Sequence, residues 1–466
     1  MTARLDASKR LYQALLGACA IGLGLLAGLD PRLGVAAAIG LAFVVLVVGD
    51  LTVGLCLFAV VAFLDLLPQL GGSLLSFSKI VGLLIALSWL AKVSTSDDTR
   101  NDFLAAHPLF SYVLGLFAGF AAFSLTWAED PSVGMEPLMR YALNLILFLI
   151  VFTAVRTPRQ VVWIFAAYVG GAAIAAAYGL LAPPADVAYY DVSRVSGTIG
   201  DPNELAAVLV PGAILGAALA AVLKSSPLLR LLALSAAVLC AAGVFVTLSR
   251  GGLVAFGVAL IVAIVVGGRW RAQALVLGVL VALGGLFYFG YIASDDAVKR
   301  VTVFEGGTGR TDLWTVGWRM VEDRPIAGVG VGNFETASVH YLLEPGALRR
   351  DEFIVDTPKV AHNTYLHVLA ELGAIGAALF MSIIGFSLYC ILRAARAFSR
   401  MRELELELLA RALFVALAGV LAADFFISEQ FSKQLWLLLG LGPALYGVAK
   451  GLAAARGPGL APSGRG

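Results

Sequence analysis

Residues 272–296 read AQALVLGVLVALGGLFYFGYIASDD, and the break inside this stretch organises the whole chain. Positions 272–293 carry no charged side chain. A helix of that length crosses a bilayer core, which takes roughly 17–25 mostly apolar residues. At Ser294-Asp295-Asp296 the apolar run stops, and a long polar passage begins that ends only near Glu371-Leu372-Gly373. Further runs of the same kind lie before it, at about 11–29, 33–49, 51–68, 74–92, 108–127, 137–155, 160–181, 204–223, 227–248 and 251–268. Three more follow it, at 371–392, 409–427 and 432–449. With the short neighbours 33–49 and 51–68 free to merge, the pattern predicts an all-α polytopic membrane protein with 12–14 transmembrane helices.

Composition agrees. Only 14% of the 466 residues are charged and 60% are hydrophobic, with a mean hydropathy of +0.90. Soluble domains carry about 25% charged residues. A net charge of +2 gives no basic surface for nucleic acid. The four cysteines all fall in apolar runs, so neither a disulfide framework nor a thiolate metal site is expected. The basic start Met1–Arg10 leads into a run longer than a signal-peptide core, which reads as an uncleaved first helix. Lysines and arginines concentrate on alternate connections: Lys9 and Arg10, Lys92 and Arg100, Arg156 and Arg159, Lys224 and Arg230, Arg269 and Arg271, then Arg393–Arg411 and Lys450. That alternation puts both termini in the cytoplasm and the polar passage on the outer side. The expected organisation is therefore an N-terminal bundle over 1–294, an extracytoplasmic loop domain over 295–370, C-terminal spans over 371–450 and a disordered cytoplasmic tail over 451–466. Segment 393–411 reads as an amphipathic helix on the cytoplasmic surface.

Chemistry is sought where the polar passage meets the membrane. Arg250 opens a span in Ser249-Arg250-Gly251-Gly252, whose glycines leave room for a ligand near the backbone. Arg194 stands just before Gly200-Asp201-Pro202-Asn203-Glu204, a capped helix start. Arg310 lies within the passage, with Trp314 on the same helical face. Guanidinium forks match phosphate oxygens. The plainer alternative is that each arginine snorkels or pairs with a carboxylate such as Asp312 or Glu204. His362, where the chain re-enters the membrane, is the candidate general base, since imidazole exchanges a proton near neutral pH. Its plainer alternative is a hydrogen-bonded histidine at a helix start. His367, five residues on, points elsewhere and reads as structural. No metal-ligand spacing is present. Asp65, Lys79, Arg140 and Asp424 could line a transport path, but the first two lie close enough to span ends to snorkel or pair.

Several pieces occur in a fixed order: Leu125-Thr126-Trp127-Ala128 with Asp130-Pro131, Arg194 with Gly200–Asn203, Ser249–Gly252, Gly309–Trp314, Gly328-Val329-Gly330-Val331-Gly332-Asn333-Phe334, and His362-Asn363-Thr364-Tyr365-Leu366 with Glu371-Leu372-Gly373. Together they resemble the bacterial O-antigen ligase and O-antigen polymerase family over roughly residues 110–430. The resemblance implies a C-type glycosyltransferase bundle that works on the outer side of the cytoplasmic membrane. Such an enzyme takes a polyprenyl-pyrophosphate-linked glycan as donor and a lipid- or glycan-anchored hydroxyl as acceptor. It needs no metal or other cofactor and inverts the anomeric carbon. By the same resemblance Arg194, Arg250 and Arg310 hold the pyrophosphate, and His362 and Arg310 act in catalysis. Asn203, Trp314, Asn363, Tyr365 and Glu371 position the substrates, and the loop lids the cavity. A polymerase would use the same donor. A flippase would spread its polar residues along a path through the membrane, whereas here they gather at outer helix ends. A non-catalytic scaffold leaves the outer arginines and His362 without a role.

Overall fold

The computed structural model describes residues 31–64, 77–95, 103–181, 194–303, 310–342 and 359–456, with scattered positions between 17 and 30. The described residues build a bundle of α1 (Pro31–Gly49), α2 (Leu51–Val61), α3 (Phe77–Thr95), α4 (Pro108–Ser124), α5 (Pro131–Ala154), α6 (Pro158–Leu181), α7 (Pro202–Val222), α8 (Pro227–Val246), α9 (Arg250–Val266) and α10 (Arg271–Phe287). Outside the spans follow α11 (Asp295–Thr302), α12 (Arg310–Asp323) and α13 (Phe334–Leu342), and then α14 (Thr364–Arg400), α15 (Leu404–Ala423) and α16 (Lys433–Ala455). Eight of the described helical segments are long and apolar enough to cross a membrane, and shorter apolar helices include α2, α4 and α9. The predicted runs 33–49 and 51–68 stay separate, because the Asp50 side chain accepts from the Thr52 and Val53 amides and starts a new helix there. Asp65 and residues 457–466 of the expected tail lie outside the described residues, while α16 itself continues through 451–455.

Local sequence explains where the spans begin. Each helix from α4 to α8 has proline at its first position, where no intrahelical donor is lost and φ is already helical. Asp130 and Asp201 cap α5 and α7 by accepting two amides each. Helix α7 is the hub, packed against α6, α8, α9 and α15. Its most apolar window is 83% buried, against 6% for the segment holding α10. Leu275, Leu280, Leu283 and Leu286 of α10 therefore point outward, as a lipid-facing helix requires.

One expectation changes. Segment 393–411 is not a separate surface helix. The inner face of α14 continues through the buried Ala394, Ala395 and Phe398, and the chain reverses in a short turn at Met401–Glu403 with Arg402 at φ 61°. Arg411 then turns inward, with Nε and Nη2 donating to Glu407 at 2.9 and 2.8 Å. The polar passage has internal packing. Leu313, Val316, Met320, Val329, Phe334, Ala337 and Ala370 form a small core of their own, so its described part is a packed cap.

Candidate functional site

The glycine-rich stretch 328–334 fixes this cap to the bundle. Gly328, Gly330 and Gly332 all have positive φ, a backbone that residues with a Cβ adopt at a cost. That path lets the Val329 and Gly330 amides donate to the Ala370 and Glu371 carbonyls at 3.0 and 2.8 Å. The Val331 amide donates to Ser124 Oγ at 2.9 Å. Asn333, fully buried, accepts from the Asp130 amide at 2.8 Å and donates to the Asp130 and Val331 carbonyls. The motif is thus a clasp joining the turn between α4 and α5 to α14. Glu371 belongs to the same clasp: it is buried, and its Oε1 accepts from the Phe334 amide and meets His367 Nε2 at 3.1 Å. His367, stacked on Phe334 with ring centroids 4.9 Å apart, is structural as the sequence implies. At Gly373 the backbone turns at φ 61° and α14 bends towards its spanning part.

A second cluster gathers around the start of α9. Arg194 is buried at 4% exposure. Its Nε donates to the Thr247 carbonyl at 3.0 Å and its Nη2 to Asn203 Oδ1 at 2.9 Å. Asn203 Oδ1 also accepts from Ser249 Oγ at 3.0 Å, and Ser249 Oγ in turn accepts from the Gly252 amide. Arg194 and Asn203 therefore face inward and hold the junction that presents Arg250; Glu204 is not the arginine's partner. The room left by Gly251 and Gly252 is used for packing rather than for a ligand. A Cβ at Gly252 would stand 2.6 Å from Ala206 Cβ, and one at Gly251 would stand 3.0 Å from Phe426. Arg250 itself, at the helix end, lies within electrostatic reach of Arg300 on α11.

Arg310 opens α12 and His362 immediately precedes α14, and the two also lie within electrostatic reach. His362 holds the left-handed backbone at φ 46°, a strained conformation of the kind that collects at functional sites. Capping falls to its neighbour: Asn363 accepts from the Tyr365 and Leu366 amides at 3.0 and 3.1 Å. Burial first, and then the positive charge of Arg310, pull the His362 imidazole from 6.5 down to about 4, with Asp201 opposing. His362 is accordingly uncharged at neutral pH. Trp314 Nε1 donates to the Ala361 carbonyl at 3.1 Å, and Tyr365 Oη donates to the Leu421 carbonyl at 2.6 Å, so both fix the histidine loop. Both rings also pack on Phe425, which is half exposed.

Carboxyls lie beside the histidine loop, where the Glu429 amide donates to Thr364 Oγ1 at 2.8 Å. Glu204 of α7 and Glu429, in the turn between α15 and α16, share a hydrogen bond, which requires a proton between them. Burial, with Glu204 and Asp424 adding, pushes the Glu429 carboxyl well up. Asp424 is buried, and both its carboxyl oxygens lack a hydrogen-bond partner among the described residues. The structure thus brings together the starts of α7, α9, α12 and α14 with Arg250, Arg310 and His362 among them. It turns Arg194 and Asn203 inward as supports and sets Glu371 in the clasp. Arg300 and Asp201 join the site unforeseen. The only hint of Arg300 was its place on a short charged helix beside the membrane.

A family model described as O-antigen ligase matches residues 235–381. The matched segment runs from α8 into α14 and includes Arg250, Arg300, Arg310 and His362. No curated protein matches the chain. Over that segment the chain is similar to the O-antigen ligase family, and its apolar helices make it a multi-pass membrane protein.

Proposed function

We propose that the protein transfers a glycan from a polyprenyl-pyrophosphate donor to an acceptor hydroxyl on the outer side of the cytoplasmic membrane, both termini being cytoplasmic. The observation that carries this reading is a neutral His362 next to Arg310, at the membrane end where Arg250 and Arg300 also stand. In the reaction the acceptor oxygen attacks the anomeric carbon from the face opposite the pyrophosphate. The bond from that carbon to the phosphate oxygen breaks, and its electron pair leaves on polyprenyl pyrophosphate. The acceptor proton goes to His362, a general-base contribution of about 10²–10⁴-fold. Arg250, Arg300 and Arg310 stabilise the charge that develops on the leaving group, without rearrangement at the moment of reaction. Arg194 and Asn203 keep Arg250 aimed; Trp314, Asn363 and Tyr365 keep His362 aimed. The cap over 295–370 covers the donor.

The test uses purified protein in detergent, a polyprenyl-pyrophosphate oligosaccharide and a chelator, following release of polyprenyl pyrophosphate and glycan length. Transfer to an added lipid- or glycan-anchored acceptor supports the ligase type. Extension of the donor glycan without added acceptor would make the protein a polymerase. Full turnover by well-folded Arg250→Ala, Arg310→Ala and His362→Ala variants would sink the assignment.

A further inference from the structure

At the end of the bundle opposite His362, α14 and α16 flank a half-open cavity of about 320 Å³ lined by Arg393, Arg396, Arg400, Tyr446 and Lys450. At ~30 Å³ per liquid water this is room for about ten waters, enough for a phosphate group and its first shell. The wall is organised. Arg393 donates from Nη1 to Tyr389 Oη at 3.0 Å and from Nη2 to Tyr446 Oη at 3.4 Å. Lys450 Nζ lies 4.5 Å from the centroid of the Tyr446 ring. The two tyrosines thereby hold two of the four cations in place.

Basic residues are common at cytoplasmic helix ends, so a bundle end rich in arginine is no site by itself. The difference lies in how the charges are used. Nearby, Arg411 and Arg269 both engage Glu407, and Arg456 pairs with Glu403. Arg396, Arg400 and Lys450 meet no carboxylate among the described residues, and no acidic side chain lines the cavity. Four cations around one hollow repel one another unless an anion sits between them.

We infer that this cavity binds a phosphate group, carried either by an anionic phospholipid or by a free phosphate ion. Guanidinium forks suit phosphate oxygens. Basic pockets between spanning helices on the cytoplasmic side take lipid headgroups in this way.

Wild type, an Arg396→Gln/Arg400→Gln/Lys450→Gln variant and a Lys224→Gln/Arg230→Gln/Arg271→Gln control that removes the same charge elsewhere at this end are compared in phosphatidylcholine nanodiscs. One arm adds phosphatidylglycerol and counts the lipid retained per protein by mass spectrometry. The other titrates inorganic phosphate calorimetrically into discs without phosphatidylglycerol. The site predicts about tenfold weaker binding by the cavity variant and wild-type binding by the control. Retention in the lipid arm alone assigns a headgroup; saturable binding in the phosphate arm assigns the free ion. Equal losses in cavity variant and control, or no binding in either arm, overturn the inference. Thermal midpoints of the three proteins verify folding, which truncation of exposed side chains leaves nearly unchanged.

Discussion

Arg310→Gln offers the sharpest probe of the site, because it is expected to move a pH limb and not only a rate. The wild-type imidazole of His362 sits near 4, against an ordinary 6.5, an interval of about 2.5 pH units (6.5 − 4). Burial is the larger cause and Arg310 the second. Removing its charge returns part of the interval, so the limb should rise by on the order of one pH unit, or ~1.4 kcal/mol at this one group. The base works unprotonated, so activity is lost as pH falls through the histidine's own value. At pH 4 wild type should keep about half of its plateau kcat/KM, and the variant about a tenth of its own lower plateau. The assay is initial-rate release of polyprenyl pyrophosphate at subsaturating donor, from neutral pH downward, with intrinsic fluorescence confirming that each protein stays folded. Because kcat/KM reports the free enzyme, the bound pyrophosphate does not blur the limb. A wild-type limb near 6.5, or coincident limbs in the two proteins, would refute the reasoning.

Three other outcomes follow from the same geometry. Arg194→Ala should lower kcat/KM by about 10–100-fold, since displaced groups lose effective concentration steeply; Arg194→Lys should not rescue it, because one ammonium cannot span both Thr247 and Asn203. Gly373→Ala combines a φ of 61° with a Cβ 2.2 Å from the Ile326 carbonyl oxygen and should cost more than about 2 kcal/mol in thermal or denaturant unfolding; an unchanged midpoint would show that the bend is not required. Glu429 has its carboxyl pushed up in the folded state, so the folded protein binds the extra proton. Stability should therefore fall as pH rises above the ordinary 4.5, by up to ~1.4 kcal/mol per pH unit for the group. Glu429→Gln should flatten that dependence, read as thermal midpoint against pH, and an identical slope in both proteins would remove Glu429 as its source.

What could be read from the chain, and what could not, follows from how a membrane sorts side chains. Length and apolarity mark a span whatever its neighbours are, so the starts of α4, α6, α7 and α8 fell within two residues of their prolines, and that of α5 six residues after Pro131. Direction around the helix axis is another matter. A buried span such as α7 is apolar on every face, so no amphipathic stripe tells inside from lipid. The inward turn of Arg194 was therefore invisible: an outer arginine before a capped helix looks the same whether its fork points at a ligand or at Thr247. The motif at 328–334 showed no role in the sequence beyond the resemblance; folded, the Val329, Gly330 and Val331 amides are spent on Ala370, Glu371 and Ser124. Glu204 and Glu429 lie far apart in sequence, and only packing makes them partners. That pairing bears on the chemistry proposed for the site. Two ionised carboxylates near the histidine loop would offset positive charge there, whereas a pair that holds a proton offsets less of it. A site that must attract an anion and still carry buried acids keeps its positive field by keeping those acids protonated.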